Sequence, residues 1–187
     1  KQDATWTLSG DPRGALVPRL SLSGGTGDGG RTRAGGATLG GELRVASSFS
    51  MSLDASYQRR GDDQQWVGNY GAVLSDTTHF TFAHLDQTTL GVTSRINWTA
   101  SPTLSLQLYV EPFVSTGRFN DWRELGDPRA AAYDDRYRPY GAGESPSGFS
   151  YRQFNSNAVM RWEYRPGSTL FLVWQQGRLQ SEVSRGD

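Results

Sequence analysis

Every second side chain is apolar from Leu104 to Val110 (L-S-L-Q-L-Y-V) and from Phe49 to Tyr57 (F-S-M-S-L-D-A-S-Y), and the residues between are small or polar. A period of two belongs to a β-strand, because successive side chains of a strand point to opposite faces. The alternation returns in at least four other stretches and never shifts to the 3.6-residue period of a helix. The chain is expected to be all-β. What remains open is whether the apolar faces look inward to a core or outward to lipid.

Composition does not decide between them. Only 35% of the residues are hydrophobic and no run is apolar enough for a membrane helix. Transmembrane barrels share that profile, since only alternate residues of each strand meet lipid. With no cysteine, a disulfide framework and a thiolate metal site are both excluded. Nineteen basic residues are balanced by nineteen acidic ones, and no Lys/Arg block stands alone, so no nucleic-acid surface is expected. The first residue is Lys1 and no charged stretch followed by an apolar run stands at the start, so a leader is expected either to have been removed or to lie outside this sequence.

Eight strands are predicted: Thr5 to Ser9, Leu16 to Gly24, Gly36 to Val45, Phe49 to Arg59, Thr78 to Thr99, Thr103 to Thr116, Phe149 to Arg165 and Thr169 to Gln176. Their connections alternate in length. S-G-D-P-R-G before Ala15, A-S-S at 46–48, A-S-P at 100–102 and P-G-S at 166–168 are short, whereas 25–35, 60–77 and 117–148 are long. If neighbours are antiparallel, the short turns gather at one end and the long loops at the other. Outer-membrane meanders are built this way, with periplasmic turns and longer extracellular loops.

The turns also fix an expected register. A-S-S sets Val45 opposite Phe49, Leu43 opposite Met51, Gly41 opposite Leu53 and Ala37 opposite Tyr57. A-S-P sets Trp98 opposite Leu104, Ile96 opposite Leu106 and Val92 opposite Val110, and P-G-S sets Tyr164 opposite Leu170 and Trp162 opposite Leu172. All three hairpins extend one apolar face. The other parity carries Arg19, Glu42, Arg44, Asp54, Arg95, Glu111, Arg161, Glu163 and Arg165, too much charge for a packed core. In a barrel these side chains would line a wet lumen, with Glu42, Arg44, Arg95, Glu111, Arg161 and Glu163 as its central charges. Trp6, Phe49, Trp98, Trp162 and Tyr164 are expected as an aromatic girdle beside the short turns, and Tyr57, Phe80 and Phe82 at the opposite rim. Pro18 and Pro112 interrupt strand patterns and are expected at bulges.

Three segments carry a resemblance to a known family: L-D-Q-T-T-L-G-V-T-S-R-I-N-W-T-A-S-P-T-L-S-L-Q-L-Y-V-E-P-F-V-S-T-G, D-P-R-A-A-A-Y-D-D-R-Y-R-P-Y, and F-N-S-N-A-V-M-R-W-E-Y-R-P-G-S-T-L-F-L-V-W. They resemble the C-terminal barrel region of a bacterial outer-membrane family of unknown function, in which the barrel follows an N-terminal module similar to family-9 carbohydrate-binding domains. The likeness is dense from Leu85 to Gln176. It implies an outer-membrane location and brings no catalytic residue with it. The carbohydrate-binding module has no counterpart here, so sugar binding does not transfer. No closing strand with a terminal aromatic follows Arg178, so the chain is expected to be part of a larger barrel, completed by the remaining strands and the N-terminal module of a longer protein.

Other motifs are weaker. G-T-G-D-G-G at 25–30 matches the G-x-G-x-x-G string, but no helix pattern follows to cradle a phosphate, and as a single imperfect calcium nonapeptide it cannot stack. A flexible exposed loop is the better account. His79 and His84 point to opposite faces of one strand, and His84 is expected to pair with Asp86 at the rim. No serine stands in a nucleophile elbow, and no catalytic residue or cofactor is expected. The stretch 117–148 is the best candidate for a site: Trp122, Asp127, Tyr133, Asp134, Asp135, Arg136 and Tyr137 mix aromatic platforms with both charges, as surfaces that grip sugars or other polar ligands do. The same acids could hold calcium, or the segment could be a folded loop tied by Asp–Arg pairs.

The sequence thus predicts an antiparallel up-and-down meander of about eight strands over residues 1–187, either a transmembrane barrel or an open part of a larger one. A structural or transport role in the bacterial outer membrane is expected, with the lipid bilayer as partner and a polar or carbohydrate solute as ligand. The alternatives are an integral outer-membrane hydrolase and a secreted carbohydrate-binding β-sandwich.

Overall fold

A computed structural model describes residues 1–71, 78–141 and 146–185. Parts of two expected long loops, 72–77 and 142–145, lie outside the described residues, as do 186 and 187. The chain forms β1 (Gln2–Ser9), β2 (Leu16–Gly27), β3 (Thr32–Ala46), β4 (Phe49–Tyr70), β5 (His79–Ser101), β6 (Leu104–Leu125), β7 (Tyr137–Pro139), β8 (Pro146–Arg165) and β9 (Ser168–Arg185). All belong to one antiparallel sheet in the order β1-β2-β3-β4-β5-β6-β8-β9, with the short β7 pairing on β6.

β1 and β9 are the two edges, and the sheet is not closed into a barrel. No second sheet stacks on it among the described residues, so the β-sandwich alternative is not the architecture of this chain. The strands are longer than the alternation alone suggests. β4 runs on to Tyr70 and β6 to Leu125, so backbone that reads as loop in the sequence is paired strand.

Register confirms the hairpin between β3 and β4: Leu43 faces Met51, Gly41 faces Leu53 and Ala37 faces Tyr57. Phe49 faces Ala46 instead of Val45, because the ladder shifts between Arg44 and Ala46. The other two turns are tighter than expected. Ser101 faces Leu104 across Pro102–Thr103, and Arg165 faces Ser168 across Pro166–Gly167, where Gly167 takes φ +77. Trp98 therefore faces Leu106, Ser94 faces Val110, and Trp162 faces Leu170. These last two corrections are two-residue slides, which keep every side chain of the paired strands on its face.

Neither proline sits at a bulge. The carbonyl of Pro18 accepts from Gly10 N at 2.8 Å just past the end of β1, so the side of Pro18 without an N–H faces a ladder that has already stopped. On the β5 side of Pro112 pairing lapses between Gly91–Phe113 and Ser94–Val110 and resumes in the same register.

Rows of opposed residues define the faces. One row runs Leu16, Leu43, Met51, Ile96, Leu108, Ala158, Trp174; another runs Leu8, Leu20, Leu39, Ala55, Val92. Leu39 is 65% exposed, Leu90 53% and Leu172 55%, so nothing among the described residues covers this face. Trp6 joins Leu22, Ala37, Tyr57 and Leu90, which places it at the rim far from the short turns, not in their girdle. Phe49 opposes Trp98, and the rings of Trp162 and Tyr164 meet edge-on 6.0 Å apart, at the expected end. The apolar band spans about nine to eleven residues on β4, β5, β6 and β8, the length that carries a tilted strand across a hydrocarbon core. On β9 it ends early, with Gln176 and Arg178 on the same face.

Among the described residues the buried hydrophobic side chains are Ala83 and Leu85, near the long-loop end of β5. There the Phe119 ring meets those of Trp122 and Phe149 in tilted contacts at 5.9 and 6.0 Å, and the Phe149 ring lies over Gly117 beside Leu85.

Candidate functional site

At this upper end the strands stop being two-faced, and the first departure is on β4. Its pairing with β5 shifts between Asp62 and Gln65 and again between Trp66 and Gly68. The irregular backbone presents Asp62 and Asp63, both nearly buried. A buried carboxylate needs partners to offset lost hydration. Arg60 reaches Asp62 at 2.5 Å, and the Gln64 N–H donates to it at 3.1 Å.

Asp63 is the hub of a larger cluster. Its Oδ2 accepts from the Tyr133 hydroxyl at 2.6 Å and lies 3.1 Å from the Arg123 guanidinium, while Oδ1 lies 3.1 Å from His84 Nδ1. Arg123 also donates to the Asp63 carbonyl and stands over the rings of Tyr137 and Tyr133, 4.6 and 5.6 Å from their centres. Burial works against charge on Asp63, but the hydrogen bonds from Tyr133, His84 and Arg123 outweigh it and hold the carboxyl below its ordinary value. Burial and the bond to Asp63 push the Tyr133 hydroxyl well up, so it stays a donor.

The segment from Gly126 to Arg136 is drawn onto the strands by these contacts and by its own turns. Asp127 caps a turn by accepting from Arg129 N at 2.9 Å, Arg136 Nε donates to the Ala130 carbonyl at 2.9 Å, and the Gly126 N–H donates to the Arg136 carbonyl at 2.8 Å. A single 3-10 turn at Asp134–Arg136 then leads into β7. Asp134 takes Arg31 at 3.3 Å, 103 residues earlier in the chain, and the Arg31 guanidinium lies 4.2 Å over Tyr133. One loop thus bridges the connection after β2 and the outer ends of β4, β5 and β6. Beyond it His79 bonds Glu124, and Tyr140 stacks 6.1 Å from Tyr70.

Tyr133, Arg136 and Tyr137 are part-buried in this assembly, whereas Asp134 and Asp135 are exposed. Trp122 packs on Phe119, and its carbonyl accepts from Tyr140 N at 3.1 Å. Asp127, Asp134 and Asp135 do not gather into a metal-holding group among the described residues. Asp–Arg pairing, one of the three readings of this loop, is what the geometry contains. His84 meets Asp86 at 3.8 Å, as the alternation suggests, but its closer partner is Asp63. Asp63, Arg123 and Arg31 escape a sequence reading. The one available signal is the D-D pair at 62–63, which breaks the alternation in mid-strand.

On the polar face, Arg44 meets Glu42 at 2.8 Å and Arg161 meets Glu163 at 3.4 Å, each pair along a single strand. Arg95 lies 5.0 Å over the ring of Tyr109. Among the described residues of this face, Arg19 and Asp54 pair across strands, 3.6 Å apart.

The comparisons with known proteins bear on the chain as a whole. The model of a family described as a domain of unknown function (DUF5916) matches residues 3–185. Neither a curated protein nor a solved structure gives a match. Spanning nearly all of this sheet, the match establishes that the chain belongs to the DUF5916 family.

Proposed function

We propose that this chain forms part of the wall of a bacterial outer-membrane β-barrel, with a structural or transport role and a polar face that lines a passage for polar solutes, carbohydrates among them. One observation carries the reading: a single antiparallel sheet leaves a continuous band of leucine, valine and aromatic side chains uncovered, over the strand length a bilayer requires. In water such a face would be an aggregation surface, since monomeric proteins seldom expose large contiguous apolar patches. In lipid it is the stable arrangement. The charged opposite face then belongs to the wet side, and further strands or another chain would complete the ladders of β1 and β9. The loop anchored on Asp63 forms an ordered rim at the extracellular end. It offers Asp134, Asp135 and Arg138 to a polar ligand.

The test is extraction. Expressed in its natural reading frame, the protein should stay with outer-membrane fragments through alkaline carbonate and leave them only in detergent. Recovery in the soluble periplasmic fraction would overturn the reading.

A further inference from the structure

The apolar band ends in two polar rows on the same face. The last apolar row holds Tyr57, Leu90 and Val114, with Arg152 beside Val114. Immediately beyond it Arg59, Thr88, Thr116 and Ser150 stand in line on β4, β5, β6 and β8, and the next row sets Asp86 opposite Arg118. These two rows line one cavity of about 810 Å³. Its floor is backed from the other face, where Phe149 covers Gly117. Arg59, Arg118 and Arg152 are all exposed, and none makes an ion pair among the described residues. Asp86, the acid inside the cavity, is engaged by His84 at 3.8 Å and Asn120 at 3.4 Å.

We infer that this cavity binds the phosphate headgroup of a lipid in the leaflet that surrounds it, a deduction that rests on the membrane reading above. Hydroxyls and unpaired guanidiniums at the boundary of an apolar band match a phosphate diester or monoester in charge and in hydrogen bonding. The arginine stems reach along apolar surface and their heads stay at the interface. Below the cavity Val114, Pro112 and Phe154 continue on the same face and offer a surface for the acyl chains of the same molecule. A free anion would have no use for that strip. The occupant is therefore a membrane lipid, held by its phosphate.

Native mass spectrometry of the full chain, refolded in a neutral detergent, tests this with three probes: phosphatidic acid, the diacylglycerol of the same chains, and inorganic phosphate. Phosphatidic acid should remain bound through detergent removal, and the other two should be lost. Replacing Arg59, Arg118 and Arg152 by Gln should weaken retention by roughly fivefold per guanidinium, while Arg13→Gln, far from the site, should not. Heat-dependent gel mobility shows whether each variant is folded, and the three-probe comparison on the unaltered chain does not depend on any variant. Equal retention of diacylglycerol, or of inorganic phosphate alone, would overturn the inference and leave the barrel reading standing. A chain that stays soluble without detergent would overturn both.

Discussion

The Tyr133 hydroxyl, in the loop after β6, donates a 2.6 Å hydrogen bond to Asp63, 70 positions earlier on β4. Bonds to a charged acceptor are among the stronger neutral-donor contacts, about 1.5–3 kcal/mol. Tyr133→Phe keeps the ring that Arg31 and Arg123 cover and removes that bond together with the 3.3 Å bond the hydroxyl accepts from Arg123. The loop should then open more often, and limited trypsin digestion should cut after Arg129 and Arg136 several-fold faster than in the parent chain. An unchanged cleavage rate would mean that the latch is not what holds the loop.

The same pair sets a pH window. Because the Asp63 carboxyl is held below its ordinary value, its stabilising contribution is complete above the usual aspartate range near about 3.9 and is lost as pH falls through the lower, folded value. Tyr133 is shifted upward, so its contribution is complete below about 10 and declines as pH climbs through the raised value. Protection of the 126–136 amides should be flat at neutral pH and fall at both extremes. Asp63→Asn should abolish the acid limb.

Asp54 lies across Gly40 to reach Arg19 at 3.6 Å, so an ion pair joins β2 and β4 over the intervening strand. A β-carbon at position 40 would meet the Asp54 carboxylate and would come within 2.7 Å of its Cα. Backbone has to move, and Gly40→Ala should cost about 1–3 kcal/mol, read as a lower denaturant midpoint in detergent. Gly141→Ala, where an added carbon meets nothing within 4 Å, is the matched control.

Leu106 and Gln107 are neighbours on opposite faces of β6. If the proposed membrane placement holds, an arginine on the lipid face near the bilayer midplane costs about 2–4 kcal/mol, whereas a wet face tolerates it. Leu106→Arg should therefore cut the yield of heat-modifiable, vesicle-inserted protein, and Gln107→Arg should leave it near the parent level. Equal losses would mean that both faces of β6 meet the same medium.

β9 is paired on its β8 side and open on the other. Hydrogen exchange in detergent should give slow and fast amides in alternation along Ser168–Arg185, with uniform protection in β5, which is paired on both sides. Uniform slow exchange in β9 would reveal a further strand seated on that edge.

Faces were legible in the residue string because they follow from a period of two that each strand carries alone. Leu43–Met51 could be paired on paper, and where a turn was tighter than read, as at Pro102–Thr103, the two-residue slide left Leu104, Leu106 and Leu108 on the same side. The rim was not legible. Arg31 meets Asp134 and Tyr133 meets Asp63 only because shifts at 62–65 and 82–84 re-aim the strand ends and a long loop folds back on them. No local pattern encodes those distances. Hydrophobic alternation by itself determined the sheet and its two faces, whereas partners separated by 70 or 103 residues, and the open edges at β1 and β9, were decided by the tertiary structure, since each depends on how whole strands are placed relative to one another.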